Sequence, residues 1–503
     1  MGEASTSSGS ARKSLGLRGK LKSLPYKWIA LSVTTLGVLM AAIDTTIVIL
    51  AIPEIMSKLH SDLISMIWVI MGYILVTTVF LLTFGRVADM LGRVRMYNVG
   101  FLVFTFGSLL CGFAASGTQL IVFRLVQGVG GAMLAVNSMA IVTEAFPAGE
   151  LGRAMGLNGI TFAVGSIVGP ILGGLILTLG NWRWVFFINV PVGILGTLWG
   201  YLQLHELSRR KQRESFDYVG ALSFSLALVL VLFALTESID FGWTSPIILG
   251  MFAGFLGLVA LFVWWEKRHP HPVLDFGVFS NRVFNFSVLA AMLQSLALYA
   301  VNFIVVFYLQ AVRGFDPLRA AVLLIPLPVA SSAIGPFSGI VSDRIGARIP
   351  ASLGLLIQIV GLFWLSHLGP AAPYLQIAIG LGLVGLGGGM FWSPNTSAAM
   401  GSAPRDRLGV AAATLATLRN SGMVTSFALI LAVIANAMPH NQMMQVFVGL
   451  EVNLPAAAKQ AFVSGMHSAF WVSIAVCFIA VLFSLVRGRE DRRALTQASV
   501  EVG

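Results

Sequence analysis

The sequence predicts an all-α integral membrane protein of fourteen transmembrane helices, arranged as two six-helix bundles plus two intervening helices. Three observations predict it. The chain of 503 residues is 57% hydrophobic and only 11% charged, with a mean hydropathy of +0.87, whereas soluble domains carry about 25% charged residues. Its apolar residues gather into fourteen runs, each of a length that crosses a hydrocarbon core of about 30 Å. A polar island, Gly85-Arg86-Val87-Ala88-Asp89-Met90-Leu91-Gly92-Arg93, is echoed in the second half as Gly339-Ile340-Val341-Ser342-Asp343-Arg344-Ile345-Gly346, with Gly, Asp and Gly at identical spacing.

Taken in order, the expected spans are 28–52, 64–84, 97–115, 119–145, 153–178 and 184–204, which make the N-terminal six-helix bundle, 27–204. A central unit, 205–282, adds two spans at 218–236 and 246–266. The C-terminal bundle, 283–486, holds 283–311, 317–340, 349–368, 372–398, 407–437 and 462–486. Basic tails flank them at 1–26 and 487–503. The duplication extends beyond the polar island: Gly128, Gly130 and Gly131 recur at a common offset as Gly385, Gly387 and Gly388, and Pro147 and Gly152 as Pro404 and Gly409.

The net charge of +11 invites a nucleic-acid reading, which its distribution excludes. Arg12, Lys13, Arg18 and Lys20 in the leading tail, Arg93 and Arg95 in the island, Arg209, Arg210, Lys211 and Arg213 in the central connection and Arg487 to Arg493 in the trailing tail all fall on one side. The other side holds Lys58, Arg183, Arg313, Arg319 and Lys459. Basic loops stay cytoplasmic, so both termini are expected in the cytoplasm and the bundle in the plasma membrane. No cleavable signal peptide is expected, because the first apolar run is too long for one. Met1-Gly2-Glu3-Ala4-Ser5-Thr6 fits a myristoylation pattern that a polytopic chain does not need. Cys111 and Cys477 lie within apolar runs and read as packing residues.

Charges inside the runs are more informative. An arginine at mid-helix costs about 2.5–3.5 kcal/mol to insert, so Arg124 needs a partner or water. Asp44 poses the same problem with opposite sign, and the two can converge on one central cavity. Gln127, Gly128 and Gly131 continue the helical stripe of Arg124. Arg419 has no counterpart in the first half; it can bind an anionic group, neutralise a carboxylate or hold backbone carbonyls. Tyr299, Asn302, Tyr308, Gln310, Phe391 and Trp392 are placed to line a cavity in the second half. Glu237 and Asp240 read as exposed loop acids. His269-Pro270-His271-Pro272 lacks a thiolate or carboxylate cluster, so no metal site is expected, and the zinc-protease, phosphate-loop and serine-hydrolase patterns are missing. The chain is not expected to be an enzyme.

Four signatures in order carry a resemblance to a known family. They are Asp44-Thr45-Thr46-Ile47-Val48 closing at Ala51-Ile52-Pro53; Gly85-x3-Asp89-x2-Gly92-Arg93-x-Arg95; Arg124-x2-Gln127-Gly128-x-Gly130-Gly131; and Gly165-x3-Gly169-Pro170-x2-Gly173-Gly174. Trp182 to Pro191 and Arg419-Asn420-Ser421-Gly422 support them. Over about residues 27–486 the chain resembles a fourteen-helix member of the major facilitator superfamily, in its drug:proton antiporter group of multidrug efflux transporters.

The resemblance implies alternating access, with lipophilic or cationic compounds exported against entering protons, a proton gradient in place of any cofactor, contact with membrane lipids, no nucleic-acid partner and a monomeric chain. It implies a conformational latch at Gly85, Asp89, Gly92, Arg93 and Glu144 with Asp343 and Arg344, where Arg93 can pair with Asp89 or Glu144. A hinge is implied at Gly165, Gly169, Pro170, Gly173 and Gly174. Proton coupling falls to Asp44 with Arg124, and the cargo cavity to Asp44, Gln127, Tyr299, Asn302, Tyr308, Gln310, Trp392 and Arg419. A coupling carboxylate near neutral pH needs a pKa about 3 units above 3.9, which desolvation supplies and a tight arginine pair opposes. Both outcomes are open at this stage. So are two other roles, export of an endogenous amphiphile such as a lipid or siderophore on the same fold, and a receptor or channel without coupled transport.

Overall fold

Long apolar runs become helices because lipid offers no hydrogen-bond partner to a bare backbone. The computed structural model describes residues 25–147, 150–207, 217–269, 276–403, 408–437 and 455–488. The side chains of Arg86, Asp89, Asp240 and Asp343, and residues 148–149, 270–275 and 404–407, lie outside the described residues. The first half runs α1 (Tyr26–Leu59), α2 (Leu63–Leu91), α3 (Arg93–Gly112), α4 (Gly117–Ala145), α5 (Leu151–Thr178), α6 (Trp184–Phe187) and α7 (Asn189–Gln203). The intervening pair is α8 (Tyr218–Phe241) and α9 (Pro246–Glu266). The second half runs α10 (Arg282–Phe307), α11 (Pro317–Leu324), α12 (Pro326–Ile345), α13 (Arg348–Leu365), α14 (Tyr374–Gly401), α15 (Leu408–Ala437) and α16 (Ala456–Val486). These elements supply 14 spans of membrane-crossing length and hydropathy, with α6 and α7 sharing one and α11 and α12 another.

Polar residues at the span ends start several helices. Asp62 accepts from Ser65 N at 3.1 Å, Ser116 from Gln119 N at 3.2 Å, Asp217 from Gly220 N at 2.8 Å and Asp316 from Arg319 N at 2.9 Å. Each satisfies an N–H that the first helical turn leaves unpaired. Within the runs, three departures are invisible to hydropathy. The sixth span breaks at Ile188 and the tenth at Ile325, just before Pro326, which has no N–H to donate. The ninth ends in a π-helical turn, Tyr308–Val312. α1 also runs further than its apolar core, through Pro53 to a left-handed cap at His60 (φ 47°). Glu237 and Asp240, expected in a loop, fall in the last turns of α8.

The duplication in the sequence is a duplication in the backbone. Gly92 and Gly346 close their helices with φ of 108° and 90°, each donating at 2.8 Å to the carbonyl four residues back, Ala88 and Ser342. A side chain is strained there, which is why glycine stands at both positions. Gly130 lies against the backbone of Phe104, and its repeat Gly387 against that of Gly354 and Gln358, so α3 crosses α4 as α13 crosses α14. α1 packs on α5, α2 on α4, α12 on α14, and α10 on α15 and α16. α8 bridges α2 and α15, while α9 packs chiefly on α8 and leaves most of its surface outside.

The halves meet away from the end that carries the Gly92 and Gly346 turns (the basic end). At the opposite end a Cβ on Gly174 would stand 2.6 Å from Leu318 Cα and 3.0 Å from Pro317 O. Gln310 Nε2 donates across the halves to Leu50 O at 3.2 Å. Toward the basic end Ile160 and Phe162 on α5 and Phe337 and Ile340 on α12 are exposed. Gly174→Val is therefore expected to part the halves at this seal. Maleimide labelling of Leu318→Cys should rise several-fold in the Gly174→Val background, with Cys111 and Cys477 silent because both are buried.

Candidate functional site

The polar centre of the first half is built on Asp44, fully buried in α1. Its Oδ2 accepts from Arg124 Nη1 at 2.7 Å. Its Oδ1 accepts from Gln127 Nε2 and from Asn189 Nδ2, both at 2.9 Å. Arg124 also donates to Gln127 Oε1 at 2.7 Å and, through Nε, to Val69 O at 3.2 Å. Its guanidinium lies 4.3 Å from the Tyr73 ring centroid, a cation–π contact that strengthens in a desolvated site. Asn189 reaches Ser108 Oγ at 3.0 Å, Ser108 donates to Phe186 O at 2.9 Å, and the Cys111 thiol reaches Gln127 Oε1 at 3.7 Å. Asp44 and Arg124 thus meet in an ion pair in which both carboxylate oxygens, and Nε and Nη1 of the guanidinium, have hydrogen-bond partners, the kind of support a buried pair needs.

The backbone motifs place these groups. A Cβ on Gly107 would lie 2.6 Å from Gln127 Cα, so its absence lets α3 press Gln127 toward Asp44. A Cβ on Gly131 would lie 2.6 Å from the Tyr73 hydroxyl, so the glycine admits the ring that covers Arg124. Ser108 donates to the carbonyl of Phe186 just ahead of the break at Ile188, and α7 starts on Asn189. The same α1 that carries Asp44 lies on the glycine face of α5: a Cβ on Gly165 would be 2.7 Å from Ala42 Cβ and one on Gly173 2.8 Å from Ile47 Cγ1, while one on Gly169 would strike Thr46 Oγ1. Pro170 sits inside α5.

In the second half Arg419 on α15 donates through Nε and Nη2 to Asn420 Oδ1 at 3.2 and 3.1 Å and lies 5.5 Å from the Trp392 ring centroid. Tyr299 on α10 stands edge-on to Phe427 of α15, at 5.6 Å between ring centroids. Asn302 is half-buried on α10. Two expected cavity residues go elsewhere: Tyr308 is fully buried with its hydroxyl on Gly369 O at 2.7 Å, and Gln310 joins the seal to Leu50. Phe391 packs in the core.

At the basic end Arg93 Nη1 donates to Glu144 Oε1 at 2.6 Å. Gly85 abuts Val136 on α4. Arg344 is exposed in the last turn of α12, and Asp89 and Asp343 are among the side chains not described. Glu206, which motif reading misses, caps α3: its carboxylate accepts from Arg93 N and Arg95 N, both at 3.1 Å. A negative charge at a helix N-terminus is favourable. Glu206→Ala is expected to lower stability by about 1 kcal/mol, read as a fall in the thermal unfolding midpoint.

A membrane assembly of two like helical halves, with an ion pair buried among the helices of the first, has the architecture of a secondary transporter. The profile of the Major Facilitator Superfamily matches residues 34–427, and the chain belongs to that superfamily. It is 33% identical to the multidrug resistance protein Stp of Mycobacterium tuberculosis, over 81% of this chain and 76% of Stp. It is 29% identical to the riboflavin transporter RibZ of Clostridioides difficile, over 94% of this chain and all of RibZ. A bacterial homologue of the human lysosomal transporter Spinster, in an inward-facing and occupied conformation, has the same fold, with a TM-score of 0.66 and 18% identity over 92% of this chain and 97% of that one.

Proposed function

We propose that this protein exports lipophilic, ring-bearing small molecules from the cytoplasm in exchange for protons, as a monomer in the plasma membrane with its basic end and both termini cytoplasmic. The observation that carries the reading is the buried Asp44–Arg124 pair, whose carboxylate sits on α1, the helix that packs against the glycine face of α5. Among the described residues Asp44 is the one carboxylate paired with Arg124, so protonating it leaves a lone buried guanidinium, which is costly. The strain is relieved when α1 shifts. α1 bears on Gly165, Gly169 and Gly173 of α5, and Gly174 of α5 bears on α11 of the other half, so a proton at Asp44 acts on the seal between the halves.

Each pH unit of gradient supplies about 1.4 kcal/mol per proton, and the membrane potential about 2.3 kcal/mol per charge per 100 mV. No nucleotide, metal or other cofactor enters this cycle. Asp44 already has three donors, which gives a cationic cargo little to pair with in this state, so lipophilic ring compounds are favoured over cations. The kinship with Stp supports a drug cargo. Uptake of a lipophilic dye into inside-out vesicles tests the reading: uptake should follow an acid-inside gradient and vanish when nigericin collapses it. The kinship with RibZ over its whole length favours one second reading, a planar metabolite as natural cargo; radiolabelled riboflavin moved by the same vesicles would establish it.

A further inference from the structure

We infer that Arg419, Trp392 and Tyr299 form a cargo subsite for aromatic compounds that carry an anionic group, a carboxylate, phenolate or sulfonate. The inference rests on the transporter reading above and gives that transporter a cargo class. Its origin is a contrast between two arginines. Arg124 is neutralised by Asp44 at 2.7 Å. Arg419 has the neutral amide of the next residue as its hydrogen-bond acceptor, and among the described residues no carboxylate pairs with it. A guanidinium held inside the membrane-spanning region without a counter-charge is costly and points to a function.

What surrounds Arg419 specifies the missing partner. The Trp392 ring lies 5.5 Å from the guanidinium carbon and is itself only partly buried, which leaves ring surface for a flat molecule. Tyr299 stands edge-on to Phe427, at 5.6 Å between centroids, and is within electrostatic reach of Arg419. Thr396, one helical turn on from Trp392, holds a buried hydroxyl without a hydrogen-bond partner. A planar guanidinium presents paired N–H donors that match a carboxylate or sulfonate, and indole and phenol rings suit an aromatic body. Arg419 therefore fixes the charged end and Trp392 and Tyr299 the rings. Moving an anion outward against an entering proton lets a potential negative inside drive both.

Two xanthene dyes of similar shape and opposite charge make the test. Fluorescein (anionic) and rhodamine 123 (cationic) are titrated by fluorescence anisotropy into the purified full chain and its Arg419→Gln and Arg419→Lys variants. Fluorescein is expected to bind the wild type, to weaken about tenfold or more in Arg419→Gln, and to recover part of that loss in Arg419→Lys, while rhodamine 123 holds or tightens in both. No fluorescein binding to the wild type overturns the subsite. So does an Arg419→Gln variant that binds fluorescein unchanged, or one that loses both dyes together while Arg419→Lys restores neither. Vesicle uptake separates the two readings: gradient-driven rhodamine 123 uptake without fluorescein binding leaves the exporter and removes the subsite, whereas Arg419-dependent binding with no gradient response does the reverse.

Discussion

The Asp44→Asn/Arg124→Gln double variant is expected to fold but to lose its response to a proton gradient. In the wild type, each pH unit across the membrane should raise the cargo accumulation ratio about tenfold for every proton exchanged. In the double variant the ratio should fall to about one, because asparagine neither binds nor releases a proton near neutral pH. The double change matters. Asp44→Asn alone leaves Arg124 buried without its counter-charge, and loss of transport then mixes uncoupling with instability. Removing both charges keeps Asn189 and Gln127 supplied with an amide partner and spares the pair's desolvation. Gradient-driven accumulation retained in the double variant would place the coupling carboxylate elsewhere.

Arg124→Ala is expected to be the most destabilising single change, by about 3–5 kcal/mol, the usual cost of leaving one member of a buried ion pair alone. It strips Asp44 of its counter-charge, Gln127 of a donor and Val69 O of its side-chain partner, and it uncovers Tyr73. Arg419→Leu makes the control. Arg419 has no described carboxylate to strand, so removing it should change stability by less than about 1 kcal/mol or raise it slightly. Thermal unfolding of the two variants in the same detergent checks the contrast; equal losses would mean that Arg419 is paired as Arg124 is.

Span number and order were legible because each span is a local property: about 20 apolar residues suffice, whatever surrounds them. The breaks at Ile188 and Ile325 were not, since apolar residues lie on both sides of each, although Pro326 carried a signal. The duplication could be read because its glycines are backbone requirements, as the positive φ of Gly92 and Gly346 makes plain. At the site, the cost of an intramembrane charge singled out Asp44 and Arg124 from sequence. That they pair, and are not two separate charges in one cavity, depends on how α1, α4 and α7 pack. Asn189 and Ser108 were missed for that reason: a lone amide and a lone hydroxyl are unremarkable until a fold points both at one carboxylate. Tyr308 erred the other way, since an aromatic on a candidate cavity helix turned out to be tied to Gly369. Glu206 had no motif around it, and only the turn of the chain after α7 brings it to α3.

The central claim is that cargo and proton exchange for one another. It is tested most directly by reconstituting the full chain into liposomes that enclose pyranine, imposing a cargo gradient with no initial pH difference, and following the internal pH. Cargo leaving the liposomes should draw protons in and acidify the interior in the wild type, and should leave the pH unchanged in the Asp44→Asn/Arg124→Gln variant. Cargo efflux from the wild type with no accompanying acidification would contradict the account.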